Sequence, residues 1–460
     1  MPDYRRCVQQ ALADFPRRGE ATVARRGPAV ADVMGGICEN GGSLVVTAAL
    51  DLFVRTCGWP IESRSLQLRM HDVSQAQSGP SDFEIPHSAF KGPVLDLIGR
   101  CRQAGADWAV SICLALYAAV AAGEISLGES GVAVVLFSEI PQAVDFGRPC
   151  VCAAIVLDAL RALRGGPRDA ARLATLAAAG GTEVVGISRM RIPLTSLCAE
   201  EGGALFQIRT RPKVEFKPFA LPAGLTIRAL RTVLDRPTTR DRLIEAARCG
   251  ELGARIIGDL RREDGLNVDD SFCLAAISPE DWVERYRDRM PSRSNRAFSV
   301  ATFSTVRGLP DGNGAVNLVK VRSRTEHHIY ENDRAWKFVN AMSRADRVRT
   351  GEQMTGVSHL VCSSHWSHSQ RCGIGGVEVD RISKGVRALG PAAGLFGAKV
   401  TGGGAGGEMV ALMQDVEPAH RALRAAVEAA EQKSQKPVQV YALYSGGQDE
   451  ALASLADLLA

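Results

Sequence analysis

One short stretch restricts this chain more than any other: Gly397-Ala-Lys-Val-Thr-Gly-Gly-Gly-Ala-Gly-Gly-Glu-Met-Val-Ala-Leu-Met413. Five of the six residues from Gly402 to Gly407 are glycine. Glycine loses the most conformational entropy on ordering, so a run this dense persists where the backbone must turn with positive φ or approach another group closely. Ala398–Thr401 reads as a short strand and Met409–Met413 as a second, buried one. A hairpin turn alone needs only one or two glycines. The surplus points to a loop that faces a ligand or packs on another phosphate-side loop.

The length, 460 residues, suggests two or three domains, because a single core rarely grows beyond about 250–300 residues. A net charge of +4 and 5% aromatic content argue against nucleic-acid or membrane binding. Twelve cysteines lie without the regular spacing of a disulfide framework and read as reduced, mostly buried thiols. No apolar segment follows the charged N-terminus, so no signal peptide is expected. The longest apolar run, Trp108–Gly123, is short of the ~20 residues that span a bilayer. The expected location is cytoplasmic.

The first half reads as rich in strands: Ser43–Ala48, Leu52–Cys57, Ser65–Met70, Val132–Phe137, Ala204–Ile208, Val214–Pro218 and Thr226–Leu234. Val30 to Thr47 reads as a glycine-punctuated loop entering the first of these, after an Arg-rich connection. Helices are expected at Tyr4–Phe15, Val94–Ala104, Trp108–Ala122, Cys150–Leu163 and Pro167–Ala179, the last ending at Gly180-Gly181. Later come helices at Thr239–Leu260, Pro279–Arg289, Glu331–Ala345, Gly351–Ser369, Val377–Ala388 and Pro418–Gln432, with a late strand at Val438–Leu443. This pattern predicts an α+β protein of two domains, 1–222 and 223–460. The order strand Val132–Phe137, loop, helix Cys150–Leu163 is one in which phosphate sites are built, because a helix N-terminus presents free N–H groups.

Four stretches in this order resemble the GHMP superfamily of small-molecule kinases, nearest in pattern to its sugar 1-kinase branch, the arabinokinases and galactokinases. They are Asp32-Val-Met-Gly-Gly-Ile-Cys-Glu-Asn-Gly-Gly-Ser-Leu-Val-Val46, His328-Ile-Tyr-Glu-Asn332, Ser364 to Arg381 with its Cys-Gly-Ile-Gly core, and the opening glycine stretch. The resemblance implies a ribosomal-S5-like N-terminal domain, a ferredoxin-like C-terminal domain and a site in the cleft between them. It also implies ATP and Mg²⁺ as cofactors if the chain is active, and a sugar or polyol as ligand. Asp32, Gly36 and Glu39 fall on the sugar side. Asp145, Gly147, Arg148, Gly402, Gly403, Gly404, Gly406 and Gly407 fall on the nucleotide side.

The chain departs from the pattern where the family's chemistry resides. The phosphate loop, roughly Pro-x-Gly-x-Gly-Leu-Ser-Ser-Ser-Ala in the family, here reads Pro141-Gln-Ala-Val-Asp-Phe-Gly-Arg-Pro-Cys150. Asp145 sets a carboxylate against phosphate oxygens and Pro149 removes an N–H donor. The family's Arg position is Val30, its general-base Asp position is Ile192, and its metal-holding Glu is replaced within Val151-Cys-Ala-Ala154. A positioned base contributes typically ~10²–10⁴-fold, and one preorganised charge stabiliser ~10²–10³-fold. Losing these together predicts impaired or absent phosphoryl transfer beside a surviving sugar side. The alternative is an active sugar 1-kinase in which Asp145 or Glu39 takes a new role. A protein partner is compatible with either. Cys362, His365, His368 and Cys372 have a metal-like but non-standard spacing. They align with the family's His/Cys helix, so no metal site is expected from them. His327-His328 reads as a surface or helix-entry pair.

Overall fold

A computed structural model of the chain describes residues 22–73, 79–141, 146–185, 189–202, 204–292, 294–295, 318–344, 351–401 and 407–445. The expected helix Tyr4–Phe15, Asp145 and Gly402–Gly406 lie outside these residues.

The first sheet is built around one long strand. Chain order gives β1 (Val23–Met34), β2 (Val45–Ile61), β3 (Ser65–Asp72), β4 (Ser81–Pro86), β5 (Gly131–Ser138), β6 (Leu205–Arg209) and β7 (Glu215–Pro218). The sheet order is β4-β3-β5-β2-β6-β7, with β1 on the other side of β2. All pairs are antiparallel except β3 with β5. β2 runs through Gly58 and Pro60 without a break, pairing with β6 through Val45–Ala48 and with β5 through Val54–Ile61. Two expected strands are therefore one. β1 stands where a loop was expected. Its Arg25 and Arg26 are strand residues, with Arg25 paired to buried Asp158 at 3.3 Å.

Helices α1 (Val94–Gln103), α2 (Val110–Ala121), α3 (Arg148–Leu163), α4 (Ala170–Val185) and α5 (Arg191–Gly202) accompany this sheet. α3 packs on β1 and β2 through Val151, Ala154, Ile155 and their apolar neighbours. α4 continues past Gly180-Gly181, where a stop was expected.

Strand β8 (Leu225–Thr232) opens the second sheet and helix α6 (Arg240–Glu263) follows. Then come α7 (Val321–Arg344), α8 (Gly351–Trp366), a wide-turned extension Ser367–Cys372, and α9 (Val377–Leu389). The sheet is completed by β9 (Leu395–Val400), β10 (Glu408–Gln414) and, after α10 (Glu417–Ser434), β11 (Val438–Tyr441). Its order is β9-β10-β8-β11, all antiparallel. α7 begins ten residues before its expected start, which buries His327 and His328 inside it. The Pro279–Arg289 helix is reduced to Pro279–Asp281 and the wide turn Trp282–Tyr286, with Trp282 and Tyr286 fully buried.

The glycine stretch joins edge strand β9 to its neighbour β10. Gly407, at φ +86°, holds the start of β10 against β8, where an added Cβ would lie 2.1 Å from the Thr232 carbonyl oxygen. At least this glycine serves architecture directly. The chain then returns to the first sheet: Leu443 bridges Leu50, and Tyr444 stacks edge-on against Phe53 with centroids 5.4 Å apart.

Candidate functional site

The end of β1, the short turn Gly36–Gly41 and the start of α5 meet around one buried cation. Arg191 donates from Nε and Nη2 to Asp32 Oδ1 and Oδ2 at 2.7 and 2.9 Å, and from Nη1 to Glu39 Oε2 at 2.7 Å. All three residues are at most 2% exposed. Burial opposes the charge on Arg191, and the two carboxylates overcome it, so its pKa is raised. The forked geometry is one that a planar guanidinium supports and an ammonium does not. The Asp32 N–H donates to Thr401 Oγ1, which ties the carboxylate strand to the lip of the glycine stretch.

The positions at which the resemblance leads one to expect catalytic residues lie close to this triad in the chain, Val30 two residues before Asp32 and Ile192 next to Arg191. Val30 donates its N–H to the Phe146 carbonyl at 3.0 Å. Gly147, at φ +79°, precedes α3, and a Cβ there would lie 2.4 Å from Ile192 Cγ2. Ile192 therefore faces the start of α3, where the phosphate loop was expected to end. Gly147→Ala should destabilise the protein by about 2–4 kcal/mol through positive-φ strain and overpacking. Urea unfolding checks this, and combining it with Ile192→Ala should recover the overpacking part.

Arg148 donates to Asp72 Oδ2 at 2.9 Å, Pro149 supplies no N–H, and α3 has no acidic residue in its first turn. No serine hydroxyl or carboxylate of this turn is placed to hold Mg²⁺, so the described residues do not fit the nucleotide–metal group well.

Behind the triad lies a second polar layer. Glu331 of α7 is fully buried and accepts from Gly35 N–H at 3.2 Å, Arg334 Nε at 2.8 Å and Ser364 Oγ at 2.5 Å. Burial alone would raise its pKa; Arg334 chiefly, with His368, Lys399 and His327, holds it well below the usual value. Lys399, from the glycine stretch, is fully buried and donates to the Val400 carbonyl at 3.0 Å. Burial lowers its pKa against the attraction of Glu331 and Asp32. An added Cβ on Gly36 would sit 3.4 Å from Asp32 Oδ2 and 3.6 Å from His368 Nε2, so the triad and this layer share a wall.

The cysteine–histidine quartet does not assemble. His365 Nε2 donates to Asp380 at 3.0 Å and its Nδ1 accepts from the Val400 N–H at 3.4 Å. His368 instead faces His327, with ring centroids 4.4 Å apart. The eleven described cysteines are all buried and unpaired by disulfides. Sequence reasoning missed Arg191, Glu331, Lys399 and Thr401, although Arg191 adjoins Ile192 and Glu331 lies inside a quoted motif.

No family profile matches the chain. L-arabinokinase of Arabidopsis thaliana is 29% identical over 146 residues, a match that takes 29% of this chain and only 13% of that protein. Among solved structures, Lactococcus lactis galactokinase complexed with galactose superposes with a TM-score of 0.68 at 16% identity, covering 96% of this chain and 98% of that one. Methanococcus jannaschii mevalonate kinase superposes with a TM-score of 0.55 at 12% identity, covering 94% and 100%. No helix among the described residues is long and apolar enough to cross a membrane. Across nearly its whole length the chain has the fold of the GHMP small-molecule kinases, and over 146 residues its sequence is similar to an arabinokinase.

Proposed function

We propose that this chain binds a sugar or related polyol between domains 1–222 and 223–460, with ATP-dependent phosphoryl transfer impaired or lost. The observation that carries the reading is the occupancy of Asp32 and Glu39 by Arg191, next to a base position filled by Ile192. A carboxylate that receives two charge-assisted hydrogen bonds is a poor proton acceptor. It still presents lone pairs to a hydroxyl. Isoleucine cannot accept a proton at all. Phosphoryl transfer depends almost wholly on positioning and charge neutralisation, and the start of α3 offers little of either.

A second reading, an active sugar 1-kinase, draws on a different aspect of the same triad. The family pattern places an Arg on the strand and an Asp near the later helix. Here Asp32 is on β1 and Arg191 begins α5, so an acid–base pair persists with its members exchanged. ATP and Mg²⁺ would be needed only under this reading.

Calorimetry of ATP with and without Mg²⁺, against pentoses, hexoses and uronic acids, separates the two. Sugar-dependent heat with no nucleotide heat and no ADP release supports the first. ADP release with any one sugar overturns it in favour of the second.

A further inference from the structure

We propose that His327, Glu331 and His368 hold a divalent transition-metal ion, with zinc the best match to the donor set. One nitrogen or oxygen from each lies within 4.8 Å of the others, and all three residues are buried. His327 and Glu331 are four residues apart on α7 and share a face. His368 approaches from the wide-turned extension of α8. Two imidazoles and a carboxylate form a donor set that suits zinc and non-haem iron.

The hydrogen bonds leave the ligating atoms available. His368 Nδ1 lies 2.8 Å from the Ser364 carbonyl, which requires the proton on Nδ1 and leaves a lone pair on Nε2. His327 Nδ1 is bonded to Ser367 Oγ at 2.8 Å, while its Nε2 is buried and has no hydrogen-bond partner among the described residues. Outer partners of this kind fix the tautomer and orientation of metal-ligating histidines. A buried polar nitrogen without a partner is costly, and with the proton on Nδ1 a bound ion would satisfy this one. Glu331 accepts three hydrogen bonds and retains a further lone-pair site.

Two features oppose the ion. Arg334 and Lys399 face the same carboxylate, and tetrahedral zinc would draw its ligands to about 3.4 Å from one another, given bonds of about 2.0–2.1 Å. Side-chain torsions must supply that contraction. Because Glu331 also accepts from Gly35, an ion there would fasten α7 and the α8 extension to the turn beneath Asp32.

The full chain, purified without a histidine tag and stripped with chelator, is to be titrated with Zn²⁺ and with Co²⁺. One equivalent is expected to bind, with visible Co²⁺ absorption of a low-coordinate N/O site. His327→Gln and His368→Gln should each weaken binding by about 10²-fold or more, while His420→Gln should leave it unchanged. X-ray absorption of the zinc-loaded wild type gives a readout free of folding effects in the variants. A shell of two imidazoles with oxygen supports the site. A thiolate shell, sub-stoichiometric binding, or wild-type affinity in either His variant overturns it.

Discussion

Arg191→Met is expected to destabilise the protein by about 3–5 kcal/mol, the usual cost of leaving buried charges without their partner. Asp32 and Glu39 both take hydrogen bonds from this cation, at 2.7–2.9 Å, so the effect should lie at the upper end. Urea midpoints at neutral pH measure it. The loss should shrink as pH falls, because Asp32 and Glu39 take up protons once their countercharge is gone. Arg191→Met combined with Asp32→Asn and Glu39→Gln should recover most of the stability, since a neutral polar cluster avoids the uncompensated charge. Arg191→Lys should recover less, because an ammonium cannot make the forked contact with Asp32 while reaching Glu39. If Arg191→Met unfolds with the wild-type midpoint, the triad is not the anchor of the site.

Ile192→Asp, which restores the carboxylate of the family pattern, should cost about 3–5 kcal/mol and confer no ATP-dependent phosphorylation. The new side chain would replace 3%-exposed Ile192 beside an Arg191 already committed to two acids. Desolvation raises the pKa of such a carboxyl above its unfolded value. The penalty is then largest above the folded-state pKa and disappears below the unfolded one, so the variant should be nearer to wild type at pH 5 than at pH 8. Adding Val30→Arg supplies the missing cation. If positions 30 and 192 face one another across the start of α3, the double-mutant cycle should show a favourable coupling of about 1 kcal/mol or more. Additive losses would separate the two positions, and phosphorylation by Ile192→Asp alone would mean that only the base had been lost.

The architecture was legible because its signals are local and ordered: a glycine stretch between two short apolar strands, a strand–loop–helix unit, and motifs in a fixed succession. Element edges were less so. The strand expected to end at Cys57 continues through Gly58 and Pro60, because pairing to β5 at both positions, and to β1 at Gly58, outweighs their local preference. His327-His328 reads as a surface or helix-entry pair, yet α7 starts early enough to turn both inward.

The site itself divides along the same line. Asp32, Glu39 and Ile192 were singled out by position within motifs. Arg191 was not, because its role follows from partners 159 and 152 residues away, and no spacing rule reports a contact of that kind. Glu331 was hidden for a similar reason: its meaning depends on Gly35, 296 residues earlier. Charge at a single position is visible in a sequence, but its neutralisation is a property of three dimensions.

The bridge between Leu50 and Leu443 bears on how the molecule is made. Asp51 N–H donates to the Ala442 carbonyl and Tyr444 N–H to the Ala49 carbonyl, each at 3.0 Å. During synthesis, that edge of β2 and the ring of Phe53 wait until Leu443 and Tyr444 have been made before these partners can cover them. Closing so long a loop adds little to the equilibrium cost, since closure entropy grows only with the logarithm of length. The penalty is kinetic: contacts this distant form late, and until then an apolar strand edge stands open to wrong partners. The ribosome-bound first half should therefore be the most aggregation-prone stage in the life of this protein, however well the finished fold encloses it.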